Sequence, residues 1–121
     1  MHIKHHKQLD VWKRSVALAG AIYSLTRDFP PEEKYGLTSQ MCRAAVSIAS
    51  NIAEGAARQT LKEFIQFLHI SSGSASELDT QIEIAKLVNM GNKKSLLEAQ
   101  EDLSQISRMI KGLIRSIEKR R

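Results

Sequence analysis

Apolar residues recur at alternating intervals of three and four along almost the whole chain, and this spacing restricts the fold more than any other feature. One series runs from Val11 to Phe29, a second from Leu37 to Ile52, a third from Leu61 to Ala85 and a fourth from Leu96 to Ile117. An α-helix repeats every 3.6 residues, so each series forms an apolar stripe along one side of a helix. No segment shows the strict apolar–polar alternation of a half-buried strand. The sequence therefore predicts an all-α protein.

Three short segments interrupt these series and set the limits of the helices. They contain Pro30-Pro31, residues 55–60 and residues 89–92. Proline ends the first helix because the residue before it is displaced from the α region. Thr60 and Asn92 have side chains that cap helix N-termini. The predicted helices span residues 8–28, 37–56, 61–88 and 93–117.

Four amphipathic helices joined by short connections favour an up-and-down antiparallel four-helix bundle. The 121 residues are enough for a single domain with one hydrophobic core, which we place at 1–121 with 1–7 as a flexible polar leader. The alternative is a three-helix domain with a detached fourth helix. It is disfavoured because every helix has an apolar stripe that needs a partner.

Composition excludes several classes of protein. The chain has one cysteine, Cys42, so neither an internal disulfide nor a four-cysteine zinc site can form, and we expect this residue to be buried. No apolar run reaches the roughly 18 residues that span a bilayer. The first seven residues lack the apolar segment of a secretory signal. We therefore expect a cytoplasmic protein that does not associate with membranes.

Positive charge is concentrated towards the two ends of the chain. Lys and Arg total 18 against 13 Asp and Glu, which is a formal net charge of +5. In an up-and-down bundle both chain ends lie at the same end, so their cations form one basic surface. Such a surface suits the phosphates of RNA or DNA, and the lack of aromatic residues along the C-terminal cations Lys111, Arg115 and Lys119 predicts little sequence specificity. The candidate nucleic-acid-binding residues are Lys4, Lys7, Arg108, Lys111, Arg115, Lys119, Arg120 and Arg121.

These charges have two other interpretations. Cations are also typical of solvated helix C-termini, where they stabilise the negative end of the helix dipole. An anionic membrane surface is a weaker alternative, because the last helix has no Trp or Phe at its apolar edge.

No combination of residues indicates catalysis or a cofactor. Neighbouring acids such as Glu32 and Glu33 point in different directions on a helix and do not form an acid–base pair. His2, His5 and His6 lack a nearby Asp or Cys to complete a metal site, so we assign them to the polar leader. We expect a protein that is not an enzyme and that has no catalytic residue, bound metal or cofactor.

A polar stripe lies beside the apolar seam of the second helix and is matched by small or polar residues on the third. Its members are Arg43, Asn51, Glu54 and Arg58, with Glu77 on the third helix. One interpretation is a buried network in which a glutamate pairs with an arginine and sets helix register or a subunit interface. The other is an exposed helix face with an ordinary i, i+4 pair between Glu54 and Arg58.

Apolar residues outside the main seam of the third helix indicate self-association. Ile65, Phe67, Ile70 and Ile84 lie off the seam, and one bundle cannot easily bury both sides of this helix. An exposed apolar strip of this kind marks a protein–protein contact. We therefore expect a homo-oligomer.

Several runs of residues are shared with a known family. They are Val11-Trp12, Phe29-Pro30-Pro31-Glu32-Glu33, Arg43-Ala44-Ala45-Val46-Ser47-Ile48, Asn51-Ile52-Ala53-Glu54-Gly55, and Gly73-Ser74 with Glu77-Leu78. From about Leu9 to Ile117 the chain resembles the four-helix-bundle proteins encoded in intervening sequences of bacterial 23S ribosomal RNA genes. The Asn-Ile-Ala-Glu-Gly run is among the most specific parts, whereas apolar heptads fit any bundle.

The resemblance implies an up-and-down four-helix bundle without a catalytic motif. The family is similar to the accessory variability protein of diversity-generating retroelements, a homopentamer that binds nucleic acid and its reverse transcriptase. A homopentamer is therefore implied, with nucleic acid and a reverse transcriptase as candidate partners. The label "ribosomal" in this family reflects gene location. The alternative function is a scaffold for a reverse transcriptase or for a ribosome-associated partner.

Overall fold

The computed structural model describes residues 5–120, most of which lie in four helices. These helices are α1 (Asp10–Thr26), α2 (Leu37–Ala56), α3 (Leu61–Leu87) and α4 (Lys93–Glu118). No strand occurs in residues 5–120, and no helix there has the length and apolar content needed to cross a bilayer. The predicted all-α fold is confirmed, and every helix boundary lies within two residues of its expected position.

The four helices pack side by side around a common axis, and each is antiparallel to its two neighbours. α1 and α3 each pack on α2 and α4. In the α1–α4 pair, Arg14 bonds to Gln105, whereas Asp28 lines the same groove as Ser95 near the start of α4. The α2–α3 pair has the same arrangement, since Ser47 meets Ser74 while Gly55 lies beside Phe64. The up-and-down bundle is thus confirmed, and both chain ends lie at one end with the α2–α3 connection.

A continuous apolar core runs along the bundle axis. Its largest fully buried side chains come from the apolar series of all four helices: Leu18, Ile22, Met41, Ile48, Ile52, Phe64, Leu68, Leu78, Ile82, Leu96, Ile106 and Ile110. Fully burying one such side chain contributes about 1.5–3 kcal/mol. The repeated spacing in the sequence is therefore the main source of the stability of the bundle. Cys42 is also buried, as predicted, with its Sγ 3.6 Å from Thr26 Oγ1.

The connections between helices are closed by caps and by a glycine turn. Thr60 Oγ1 accepts a hydrogen bond from the backbone three residues later at 3.1 Å, and Asn92 Oδ1 does the same at 3.0 Å. Both predicted caps are confirmed. Gly91 has a φ of +75° and lies against Phe29, where an added Cβ would be 2.6 Å from a ring atom. Glycine suits this turn because it tolerates positive φ and leaves room for the ring.

The apolar residues off the α3 seam do not form one exposed strip. Ile65 is only 7% exposed and belongs to the core, so the expectation that it lies on the surface is wrong. In the antiparallel α3–α4 pair Asp79 contacts Gln100, so Ile65 lies level with residues near Ile114, where α4 still continues. Ile70 and Ile84 are exposed, to 51% and 44%, so part of the predicted strip does reach the surface.

Candidate nucleic-acid interface

The described chain is electrically asymmetric along the bundle axis. Residues 5–14, 54–63 and 108–120 lie together at one end of the bundle, and we call them the basic end. They contain ten Lys and Arg and four Asp and Glu, a formal charge of +6. The remaining described residues contain six Lys and Arg and nine Asp and Glu, a formal charge of −3. The antiparallel topology therefore separates charge that the linear sequence distributes over three segments.

The predicted cations of α4 form an exposed stripe along the outside of the helix. Arg108, Lys111, Arg115 and Lys119 follow at intervals of three and four, and all four are exposed. They extend over about 16 Å at the helical rise of 1.5 Å per residue. Arg108 Nη1 donates to Ser104 Oγ at 2.8 Å, and within residues 5–120 none of the four has a carboxylate oxygen within 4.0 Å. The stripe thus keeps charged donors available for successive phosphates.

Other cations join the stripe at the basic end. Lys7 and Arg120 are exposed there, as predicted, whereas Lys4 and Arg121 lie outside the described residues. Arg58 and Lys62 of the α2–α3 connection lie at the same end, as the predicted up-and-down bundle implies. Only the direction of the helices indicates that this connection lies beside the chain ends.

His6 contributes less positive charge than the Lys and Arg residues around it. His6 lies in a 3₁₀ turn (His6–Gln8), and its ring meets that of Trp12 edge to face with a centroid separation of 5.0 Å. Desolvation, assisted by the neighbouring His5 and Lys7, lowers the pKa of His6. This ring is therefore mainly neutral at pH 7. His2 lies outside the described residues, and no cluster of three or more His, Cys, Asp or Glu suited to a metal ion occurs in residues 5–120.

The polar stripe of α2 contacts α3 through hydroxyl and amide groups. Ser47 Oγ and Ser74 Oγ are 2.8 Å apart, and Asn51 Nδ2 donates to Ser47 Oγ at 2.9 Å. Ser71 Oγ donates to the carbonyl oxygen of Ile48 at 2.8 Å in a buried position. These small side chains let the two helix backbones approach closely. Asn51 therefore bonds within α2 to Ser47, and Ser47 in turn contacts Ser74 of α3.

The charged members of the stripe are not paired with one another in the described chain. Arg43, Glu54, Arg58 and Glu77 are all exposed, and the ion pair found within residues 5–120 joins Lys86 to Glu83 instead. The Arg58 guanidinium lies over the Phe67 ring, 4.6 Å from its centroid. That cation–π contact takes the place of the ion pair to Glu54 considered from the sequence.

A groove of about 450 Å³ lies between α2 and α3 in the half of the bundle away from the basic end. Its lining consists of Gln40, Arg43, Ala44, Ser47, Glu77 and Gln81. Gln81 is only 6% exposed, and its Oε1 is buried without a hydrogen-bond partner in the described chain. Two of the predicted network residues, Arg43 and Glu77, thus line the same groove.

The exposed surface of α1 from Ser15 onwards carries no charge, which the apolar spacing alone did not reveal. No charged residue occurs between Ser15 and Thr26, although 26% of the whole chain is charged. Val16 and Tyr23 are 44% and 51% exposed, and the small residues between them also reach the surface. A contiguous exposed face of this kind is typical of a protein–protein contact. The signal in the sequence is the length of the uncharged run.

Comparison with known proteins classifies the chain. The family model described as 23S rRNA-intervening sequence protein matches residues 7–112. The chain belongs to the 23S rRNA-intervening sequence protein family. The resemblance deduced from the residue runs is thereby confirmed.

A solved structure shares the fold of this chain. It is a protein with unknown function from the S23 ribosomal protein family of Bacteroides thetaiotaomicron VPI-5482. The TM-score is 0.77 at 21% sequence identity, and the alignment covers 86% of this chain and 97% of that chain. At this identity the likeness establishes the fold alone. None of the curated proteins matches the chain.

The family match covers the polar stripe but only part of the basic end. It includes Arg108 and Lys111, whereas Arg115, Lys119 and Arg120 lie beyond residue 112. The basic stripe of α4 therefore extends beyond the part of the chain that the family model matches.

Proposed function

We propose that this protein is a non-enzymatic, self-associating bundle of the cytoplasm that binds RNA or DNA through its basic end. The observation that supports the proposal is the collection of ten Lys and Arg at one end of the bundle. None of them has a carboxylate oxygen within 4.0 Å among residues 5–120. Binding of phosphates by such cations releases counterions, so the affinity should fall steeply as salt rises.

The expected binding has little sequence specificity. The α4 stripe from Arg108 to Lys119 contains no aromatic residue on which a base could stack. Contacts of these cations with phosphates position a nucleic acid but carry no sequence information.

Self-association would strengthen this binding without any new contact. In a homopentamer, which the family resemblance implies, five basic ends would act together and raise the overall avidity. Exposed apolar side chains on α1 and α3 support contact between copies, namely Val16, Tyr23, Ile70 and Ile84.

The test compares two charge-reversed variants of α4. Lys111→Glu with Arg115→Glu alters the basic end, while Lys93→Glu with Lys94→Glu alters two exposed cations at the opposite end of the same helix. Both change the net charge equally. Fluorescence anisotropy with labelled single-stranded RNA and with duplex DNA, from about 50 to 200 mM salt, measures affinity and its salt dependence.

We expect the first variant to bind at least about tenfold more weakly, with a log–log salt slope shallower by about two. The matched control should bind almost as tightly as the unaltered protein. Equal losses in the two variants would mean that net charge alone acts, and a lack of binding by the unaltered protein at low salt would disprove the proposal.

A protein-interaction scaffold is the second candidate function. Tyr35 and Leu87 are 88% and 81% exposed, and both lie at the end of the bundle opposite the basic end. If this end binds a protein such as a reverse transcriptase or a ribosome-associated factor, Tyr35→Ser with Leu87→Ser should abolish capture of that factor from host lysate. The Lys111→Glu, Arg115→Glu variant should retain it.

A further inference from the structure

The α2–α3 groove contains a buried hydrogen-bond acceptor that the described chain does not satisfy. Gln81 is 6% exposed, and no donor in residues 5–120 lies within hydrogen-bond distance of its Oε1. Buried side-chain oxygens in folded proteins almost always have a partner. Gln81 lines the groove, so a donor from another molecule would reach it from there.

The charges of the groove indicate what kind of group fits it. Arg43 projects from α2 and Glu77 from α3, and both are exposed and unpaired within the described residues. The two charges are opposite, so together they give the groove no net charge that favours an anionic or a cationic occupant. A neutral group with a hydrogen-bond donor suits such a groove, because the unsatisfied group in it is the acceptor Gln81 Oε1. The volume of about 450 Å³ accommodates a side chain as large as tyrosine.

The exposed face of α1 offers a neutral hydrogen-bond donor of this kind. It is uncharged from Ser15 to Thr26, and the small residues Ala17, Gly20 and Ala21 on it are exposed, so another helix can approach closely. Tyr23 projects from the same helix, 51% exposed, and its hydroxyl has no hydrogen-bond partner among residues 5–120. A phenolic hydroxyl is a neutral donor at the end of an apolar body.

We propose that the α1 face of one copy packs on the α2–α3 groove of a second copy, with the Tyr23 hydroxyl donating to Gln81 Oε1. This single contact would satisfy the buried oxygen of Gln81 and cover the exposed, uncharged face of α1. Because the two surfaces differ, the contact is heterologous and, repeated from copy to copy, closes a ring if the rotation allows. The inference rests on the proposed self-association and names the surfaces that produce it.

Cysteine cross-linking tests which surfaces meet. In a Cys42→Ala background, Gly20→Cys places a thiol on the α1 face and Glu77→Cys places one on the groove. Mild oxidation of the variant with both thiols should give disulfide-linked multimers on non-reducing gels. Each single-thiol variant should remain mostly uncross-linked. Efficient cross-linking of Gly20→Cys alone would overturn the inference, because it would show α1 meeting α1 across a twofold axis.

Sedimentation equilibrium tests the hydrogen bond itself. Tyr23→Phe and Gln81→Leu should each weaken association about tenfold, and the double variant should be no weaker than the worse single one, since both lose the same bond. Tyr35→Phe is the matched control and should leave association unchanged. If both variants assemble normally and no cross-link forms, the inference is wrong while self-association stands. A protein that is monomeric at all concentrations would refute both.

Discussion

Replacement of Gly55 by alanine tests whether the close approach of α2 and α3 determines how the bundle packs. Gly55 is buried near the end of α2. An added Cβ would lie 2.8 Å from Phe64 Cδ1, 2.8 Å from Phe67 Cβ and 3.2 Å from the backbone oxygen of Phe64. Phe64 is fully buried, so its ring has little room to move. The two helices must therefore separate to accept a methyl group.

Two effects of opposite sign set the size of the change. Alanine is favoured over glycine inside a helix by about 1 kcal/mol. Forcing an extra methyl group into a packed core costs about 1–3 kcal/mol. Gly55→Ala should therefore lower the free energy of unfolding by up to about 2 kcal/mol. Gly73→Ala is the matched control in α3, since its Cβ would meet nothing within 4 Å, and it should raise that free energy by about 0.5–1 kcal/mol.

Urea denaturation followed by far-UV circular dichroism measures both variants at one protein concentration. The difference between Gly55→Ala and Gly73→Ala isolates the steric cost, because the helix-propensity gain is common to both. If Gly55→Ala proves as stable as Gly73→Ala, the contact does not constrain the packing and the reasoning fails.

Three further predictions concern single side chains. Thr60→Ala should lower the free energy of unfolding by about 1 kcal/mol through loss of the α3 cap, and an unchanged urea midpoint would contradict this. Hydrogen bonds from Lys86 and Gln100 hold the pKa of Glu83 below its ordinary value, so its stabilising contribution is present above the ordinary pKa and is lost as pH falls through the lowered one. Gln100→Ala should raise the pKa of Glu83, which NMR titration of the carboxyl carbon can follow, and an unshifted titration would count against that bond. The buried Cys42 thiol should react with a thiol reagent far more slowly in the native protein than in urea, and equal rates would show that it is accessible.

The helices and their caps could be deduced from residue order because each depends on neighbours within about one turn. The apolar residues of α3 share a face at intervals of three and four whatever the rest of the chain does. The Thr60 and Asn92 caps join groups three residues apart. With four such helices and short connections, antiparallel packing follows, and the basic end follows from it. The resemblance to the family likewise came from residues that can be compared one by one.

Contacts between helices depended on separations and rotations that no local pattern contains. Ile65 looked peripheral by spacing but is covered because α4 continues past it. Arg58 lies over Phe67 rather than beside Glu54, because α3 supplies an aromatic ring at that level. The unsatisfied oxygen of Gln81 is likewise apparent only once α2 and α3 stand side by side. Periodicity tells which face of a helix is apolar, whereas the partner that a side chain meets is set by residues distant in sequence, and those meet only when the bundle closes.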